Sequence, residues 1–135
     1  MIKKLPITLL MSSVQEVIER NTGRRCYDAV PLNAETPFYF LDLVSVQPKN
    51  SKNMYVDSFN LYVHCIADES PSSVGVNALI QDLQEALTES IYLPVPFRLL
   101  NTFDNGVVVI KTDETGEKHA ICAFSFEVAY GFICK

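Results

Sequence analysis

With 135 residues, the chain is long enough to bury roughly two-thirds of the surface that its unfolded form would expose, so it can fold without disulfides or a metal. Hydrophobic residues make up 48% and charged residues 20%, which excludes a generally disordered chain. The net charge of −5 argues against a surface built chiefly for nucleic acid, because phosphate contacts need clustered Lys and Arg. No apolar run approaches the length of a membrane span. We therefore expect a single domain over residues 1–135 that binds neither a membrane nor a specific nucleic-acid sequence.

The first half of the chain predicts a helix followed by three strands. Apolar residues at three- and four-residue spacing predict a helix over residues 5–20, with Pro6 in its first turn. A short strand is predicted at residues 24–28, and a continuous apolar run predicts a strand covered on both faces at residues 38–46. Alternation of apolar and polar residues predicts a further strand at residues 55–67.

The second half predicts another helix and three more strands. Ser70 as the N-cap and Pro71 at the first position predict the start of the second helix. Strands at residues 97–103 and 107–112 are predicted to form a hairpin, because both residues of Asn105-Gly106 tolerate the positive φ of a tight turn. The last strand follows a second turn.

The last strand, over residues 119–132, shows the most regular alternation in the chain. One face is predicted to hold both helices against the sheet and carries Ala120, Cys122, Phe124, Phe126, Val128, Tyr130 and Phe132. The other face is smaller and more polar, and its Ser125 and Glu127 are interpreted as a candidate subunit contact. The order of elements predicts an α+β fold with a mainly antiparallel sheet and two helices packed on one face, arranged α-β-β-β-α-β-β-β.

Residues of catalytic or metal-binding type form no recognisable site in the sequence. His64 and Cys65 are adjacent in a predicted strand and point to opposite faces, and His119 and Cys122 also face oppositely. A site that combined the two histidines with a carboxylate would need a tertiary approach that the sequence does not indicate. Structural histidines are therefore favoured.

The cysteines are interpreted as reduced and mostly buried thiols, since they form no C-x-x-C pair and three of the four lie in apolar runs. They are Cys26, Cys65, Cys122 and Cys134. A small Cys/His hydrolase using Cys65 or Cys122 is an alternative from another functional class. Because burial raises the pKa of a thiol, and because neither G-x-S-x-G nor a phosphate-binding glycine loop is present, we predict no enzyme activity and no cofactor. The cysteine spacing and the opposite faces of the histidines and cysteines predict no bound metal.

A polar segment over residues 47–54 separates two predicted strands. It contains the residues that we interpret as a partner-binding loop, namely Lys49, Asn50, Ser51, Lys52 and Asn53. The alternative is an ordinary solvated connection, because surface loops are usually polar. Replacing Lys49 and Lys52 by Glu is expected to weaken partner binding and to leave thermal unfolding nearly unchanged.

Several short segments together resemble one protein family over nearly the whole chain. They are Pro37-Phe38-Tyr39 at the start of a strand, Ser51-Lys52 before the next strand, Val63-His64 near its end, Ser72-Ser73 at the helix start, and His119-Ala-Ile-Cys-Ala-Phe-Ser-Phe-Glu-Val in the last strand. The chain resembles the tail-completion, or tail-terminator, proteins of long-tailed bacteriophages and prophages. The predicted order of elements matches the layout of that family.

The resemblance implies structural work without chemistry. Proteins of this family form a ring, usually a hexamer, on the end of the finished tail tube, stop its polymerisation and present a surface for head joining. The resemblance therefore implies three partners: a tail tube protein, a head-connector protein and further copies of the chain. It also implies a place in the virion tail, after assembly in the cytoplasm of the bacterial host. Another head-tail connector or a minor tail component of the same fold is the alternative.

Overall fold

The computed structural model of the protein describes residues 1–133 and contains two helices and five strands. In chain order these are α1 (Ile7–Thr22), β1 (Cys26–Tyr27), β2 (Phe38–Pro48), β3 (Met54–Glu69), α2 (Val74–Ala86), β4 (Arg98–Thr112) and β5 (Glu117–Phe132). The strands form one sheet in the order β1-β2-β3-β5-β4. β1 and β2 are parallel, and the other neighbouring pairs are antiparallel. The predicted α+β class with a mainly antiparallel sheet is confirmed.

Both helices begin later than the sequence predicts. Pro6 precedes α1 and caps it, because its carbonyl accepts two backbone N–H groups of the first turn. α2 begins at Val74, because the hydroxyls of Ser70 and Ser72 each accept the backbone N–H two residues further on and hold this segment in tight turns. α1 has 16 residues and α2 has 13, and no helix within residues 1–133 is long and apolar enough to cross a membrane.

The two helices pack on one face of the sheet, which we call the helix face, and the opposite face is called the open face. Alternate residues of β2, β3 and β5 point to the helix face and join one core with both helices. From β5 these are Ala120, Cys122, Phe124, Phe126 and Val128. Tyr39 of β2 is fully buried, and its hydroxyl donates a 2.8 Å hydrogen bond to the carbonyl of Leu79 in α2. The last strand therefore supports the helix layer, as predicted.

The buried face of β5 ends earlier than predicted. Val128 is fully buried, whereas Phe132 is 66% exposed. The register of β5 against β3 shifts at Tyr130, where β5 carries one extra residue. Such a β-bulge reverses the alternation of side chains beyond it. Phe132 therefore leaves the helix face, although the sequence pattern continues without interruption.

The prediction of a hairpin at Asn105-Gly106 is wrong. Both segments belong to one continuous strand, β4, so the described sheet has five strands where six were predicted. Gly106 does adopt a positive φ, of 91°, but it does so inside a bulge between Asp104 and Val107, where the register against β5 shifts. Its N–H donates to the Asp104 carboxylate at 2.9 Å. A glycine in a bulge and a glycine in a two-residue turn give the same local signal.

β2 is also less covered than its apolar sequence predicts. Tyr39 and Leu41 are buried on the helix face, whereas Asp42 and Val44 are exposed. A register shift against β3 makes Val44 the extra residue of a β-bulge. The physical reason is that the helices form one layer, so they cover one face of this strand.

Candidate interaction surfaces

The predicted partner-binding loop, residues 49–53, connects β2 to β3 and is held by local hydrogen bonds. The side-chain oxygen of Asn50 accepts a backbone N–H of β3 at 2.9 Å. The Ser51 hydroxyl accepts the N–H that begins β3 at 3.1 Å, and the carbonyl of Asn53 accepts an N–H just beyond β5 at 2.9 Å. Lys52 is exposed and makes no hydrogen bond or ion pair to any part of residues 1–133. The loop therefore has a defined shape and presents Lys52 to solvent.

Lys49 joins the loop to the open face of the sheet. Its Nζ lies 2.5 Å from Oε2 of Glu127, whose side chain is only 8% exposed. The amide of Asn101 in β4 donates to the other carboxylate oxygen at 2.9 Å, and Lys49 also lies 5.8 Å from the ring centre of Phe103. The hydrogen bonds from Lys49 and Asn101 hold the pKa of Glu127 below its usual range. The structure thus brings together one residue from each of the two predicted sites.

Ser125 lies in a polar network that runs across the open face. Its hydroxyl donates to Asn60 of β3 and accepts from the amide of Asn105 in β4, both at 2.7 Å. The Asn60 amide in turn donates to Ser45 of β2 at 3.0 Å. Ser125 and Glu127 are 8% and 6% exposed, so most of their surface is covered by their own chain. Their role in a subunit contact stays a prediction.

The asparagines of this network are the residues that sequence reasoning missed. Asn60 stands on the polar side of a predicted strand, a position that could have identified it. Asn101 and Asn105 contact β5 because both belong to one long strand, β4. Its register against β5 shifts by one residue just before Asn101 and again beside Asn105. The mistaken hairpin hid both contacts.

The two histidines meet on the open face, an approach that the sequence does not indicate. Pairing of β3 with β5 puts His64 and His119 on neighbouring strands, where His64 Nδ1 and His119 Nε2 lie 2.7 Å apart. Oδ2 of Asp42 is 3.8 Å from the other ring nitrogen of His64. Burial lowers the pKa of both histidines, and the nearby charge of Lys111 lowers both further. Within residues 1–133, no group of three or more His, Cys, Asp or Glu residues has metal-binding geometry.

We expect this pair to make the protein less stable in mild acid. The pKa of each histidine is lowered in the folded state. The contribution of the neutral pair to the free energy of unfolding is therefore complete at a pH above the ordinary histidine pKa of 6.5. It is lost as the pH falls through the folded pKa, since the unfolded chain binds protons first. Gln at position 119 can still pair with His64 but does not titrate. Urea unfolding at pH 7.5 and 5.5 should therefore give a smaller acid loss for His119→Gln than for the unchanged protein, and equal losses would contradict the prediction.

Three cysteines are free and buried, as predicted, and Cys134 lies outside the described residues. Burial raises the pKa of Cys26 to about 12. The pKa of Cys65 is also raised, through its hydrogen bond with Cys122 and through burial. Buried and protonated thiols are poor nucleophiles, so Cys65 gives no support to the Cys/His hydrolase alternative. The hydrogen bond with Cys65 lowers the pKa of Cys122, but Cys122 is fully buried on the helix face. Both histidines lie on the open face, so neither is placed to activate the Cys122 thiol.

A further exposed surface lies on β4, the last strand of the sheet order. α1 packs on α2 and β1, and α2 packs on β3 and β5. Leu99, near the start of β4, packs against the core, but the helix layer leaves the later part of β4 uncovered. Residues 107–111 of β4, which we call the β4 edge, are exposed and rich in β-branched side chains. Long exposed edge strands of this composition are templates for pairing with another chain.

Comparison with known proteins gives a family and a fold. The family model described as "Putative tail termination protein", a family of phage tail terminators, matches residues 1–135. Among solved structures, a chain from the "Virion of native gene transfer agent (GTA) particle" is similar, with a TM-score of 0.74 and 16% sequence identity. The alignment covers 90% of this chain and 96% of the other chain. No curated protein sequence matches.

The chain belongs to the phage tail terminator family, because the family model covers it from end to end. The resemblance given by its short sequence segments is confirmed. The protein is therefore a structural component of a phage-type tail. The similar virion chain agrees in fold with this assignment.

Proposed function

We propose that the protein caps the end of a finished tail tube, stops its polymerisation and provides the surface to which the head is joined. The observation that carries the proposal is the match of the terminator family over residues 1–135. The proposed partners are the tail tube protein, a head-connector protein and further copies of the chain in a ring, with six copies as the expected number. The proposed location is the virion tail, after assembly in the host cytoplasm.

The geometry of the chain supports docking by a preformed surface. The loop at residues 49–53 is fixed by hydrogen bonds to β3 and to the chain beyond β5, so it loses little conformational freedom on binding. Lys52 is exposed there and presents its positive charge to solvent. We propose that this loop meets the tube or the connector, and that the polar network around Ser125 and Glu127 lies at a boundary between subunits.

Tail tubes that lack a cap provide the direct test. Adding the purified protein to such tubes in the presence of excess tube subunits should hold their length constant, as seen by electron microscopy, and should restore joining to heads. Continued elongation with no protein at the tube end would reject the capping function. Binding at a site other than the tube end would favour the alternative of another head-tail connector or minor tail component.

Reversing the charge of Lys52 should weaken docking without changing stability. We expect Lys52→Glu to bind tube ends roughly three- to tenfold more weakly, because charged groups at such surfaces govern encounter and orientation. Its thermal unfolding should match that of the unchanged protein, since substitutions of exposed side chains usually alter stability little. Lys118→Glu, in β5 at the opposite end of the sheet from the loop, is the control for a charge reversal far from the loop. Its thermal unfolding is measured as well, because Lys118 is half-buried and donates a 2.8 Å hydrogen bond to Thr112. Equal binding by both variants would remove Lys52 from the docking surface.

A further inference from the structure

We infer that copies of the chain join edge to edge, with β4 of one copy pairing with β2 of the next as neighbouring antiparallel strands. The occupant of the β4 edge is therefore a second copy of this chain. This inference deepens the proposed ring and rests on it. It assigns the contact to backbone pairing between two particular strands.

The β4 edge is open along its backbone and on both faces. β5 pairs with one side of β4, and the sheet order ends there. Four consecutive apolar side chains are exposed: Val107 at 41%, Val108 at 52%, Val109 at 38% and Ile110 at 50%. Pairing with β5 puts Val107 and Ile110 on the helix face and Val109 on the open face. An uncovered strand of this kind is stabilised when a further strand and a further layer pack against it.

The same chain carries a second open edge on the other side of the sheet. β1 is only two residues long and pairs with Tyr39 and Phe40 of β2. Residues 42–46 of β2, which we call the β2 edge, receive no backbone hydrogen bond on that side from any part of residues 1–133. Asp42 and Val44 are exposed there. Each copy therefore offers one edge of each kind, at opposite ends of the strand order.

The strand directions allow the two edges to join. β2 and β5 are both antiparallel to β3, and β4 is antiparallel to β5. β4 is therefore antiparallel to β2, so the next copy can continue the sheet without being inverted. A contact between two different surfaces of the same chain is heterologous, and it closes into a ring when the rotation between copies permits.

Charge fixes the register of the pairing. Lys111 points to the open face, because it pairs with His119, and Asp42 points to the same face, because it pairs with Tyr62. Both are exposed. Setting Lys111 opposite Asp42 gives a cross-strand pair of opposite charge, which favours this register. The preceding residue of β4, Ile110, then lies opposite Leu43, and both of these point to the helix face.

The bulges of the two strands match in this register. β2 has one extra residue at Val44, and β4 has one extra residue at Val108. Because each strand gains one residue within the paired stretch, the faces stay aligned beyond the bulges. Val107 then lies opposite Val46 on the helix face. There the apolar side chains of β4 would lie beside Leu43 and Val46 of the next copy, which pack against that copy's core. The next copy would thereby supply the covering layer that the later part of β4 lacks.

Disulfide trapping tests this contact. Asp42→Cys and Lys111→Cys are made in separate full-length chains that also carry Cys134→Ser, and the two are mixed under mild oxidation, both free at high concentration and with tail tubes. Neighbouring strands place opposite Cα atoms about 4.5–5.5 Å apart, which a disulfide can span. We expect the mixed dimer to form at least about tenfold more than in the control mixture of Asp42→Cys with Lys118→Cys. The chain carrying both substitutions should form a ladder of linked copies that ends at the ring number.

Yields equal to the control in both settings would overturn the inference, as would a preference for dimers of the Lys111→Cys chain with itself. Tube length is measured in the same samples with the unchanged protein. Capping without specific disulfides means that the strand contact is wrong and the proposed function stands. Specific disulfides without capping mean that the contact is right and the proposed function fails.

Discussion

Phe126→Ala should lower the free energy of unfolding by about 3–5 kcal/mol, because removing a large buried ring loses its transfer free energy and leaves a cavity. Phe126 is fully buried on the helix face. Phe132→Ala, in the same strand, should change it by less than about 0.5 kcal/mol, because Phe132 is 66% exposed. Urea denaturation of the two variants provides the measurement.

The two variants distinguish the structure from the sequence pattern, because the pattern predicts that Phe126 and Phe132 are both buried on the same face. Both stand at even steps of one unbroken alternation, and the extra residue at Tyr130 separates them. Equal losses would contradict the bulge and would return Phe132 to the core. If Phe132→Ala weakens tube binding and leaves the free energy of unfolding unchanged, the phenyl ring of Phe132 is instead part of a docking surface.

Lys49→Glu should destabilise the folded chain by about 2 kcal/mol, although its place in a polar surface loop predicts almost no effect. The substitution removes the cation beside a nearly buried carboxylate and places a second negative charge there. Removing one partner of a fully buried pair costs roughly 3–5 kcal/mol, and the exposure of Lys49, whose side chain is 63% exposed, reduces that cost. Lys52→Glu is the matched control and should leave stability unchanged.

The destabilisation should depend on pH in a definite direction. The pKa of Glu127 is lowered in the folded state, first by the hydrogen bond from Lys49. Its contribution is therefore present above the ordinary value of 4.5 and is lost as the pH falls through the folded pKa. The difference between Lys49→Glu and the unchanged protein should shrink in urea titrations below that value. A difference that is constant with pH would show that charge is not its cause.

Side-chain alternation predicted the helix face of β5 correctly as far as Val128, because burial on one face of a strand imposes a period of two. It could not predict the bulge at Tyr130, since both faces near that residue carry apolar or small side chains. Gly106 shows the same limit, because its positive φ was predicted and its place in a continuous strand was not. Local patterns record which conformation a residue adopts, and the register against a distant strand decides where it lies.

The interaction surfaces depended still more on long-range register. The loop at residues 49–53 was located from its polarity alone. However, the contact of Lys49 with Glu127 links positions 78 residues apart, counting from 49 to 127, and the histidine pair links His64 to His119 across two strands. A sequence without aligned relatives carries no signal for such contacts. The membership of the chain in the terminator family, by contrast, was accessible from short segments spread along it.

The bulges at Val44 and Val108 also affect how readily this chain associates non-specifically with other chains. A flat edge rich in valine would accept almost any extended segment and would favour aggregation. A strand with a β-bulge pairs along its whole length only with a strand that has a matching bulge. Without the match, the register beyond the bulge is shifted by one residue, and every following side chain points to the wrong face. We therefore expect the irregular edge to be selective: it pairs with another folded copy of this chain and disfavours pairing with unfolded or incompletely synthesised chains.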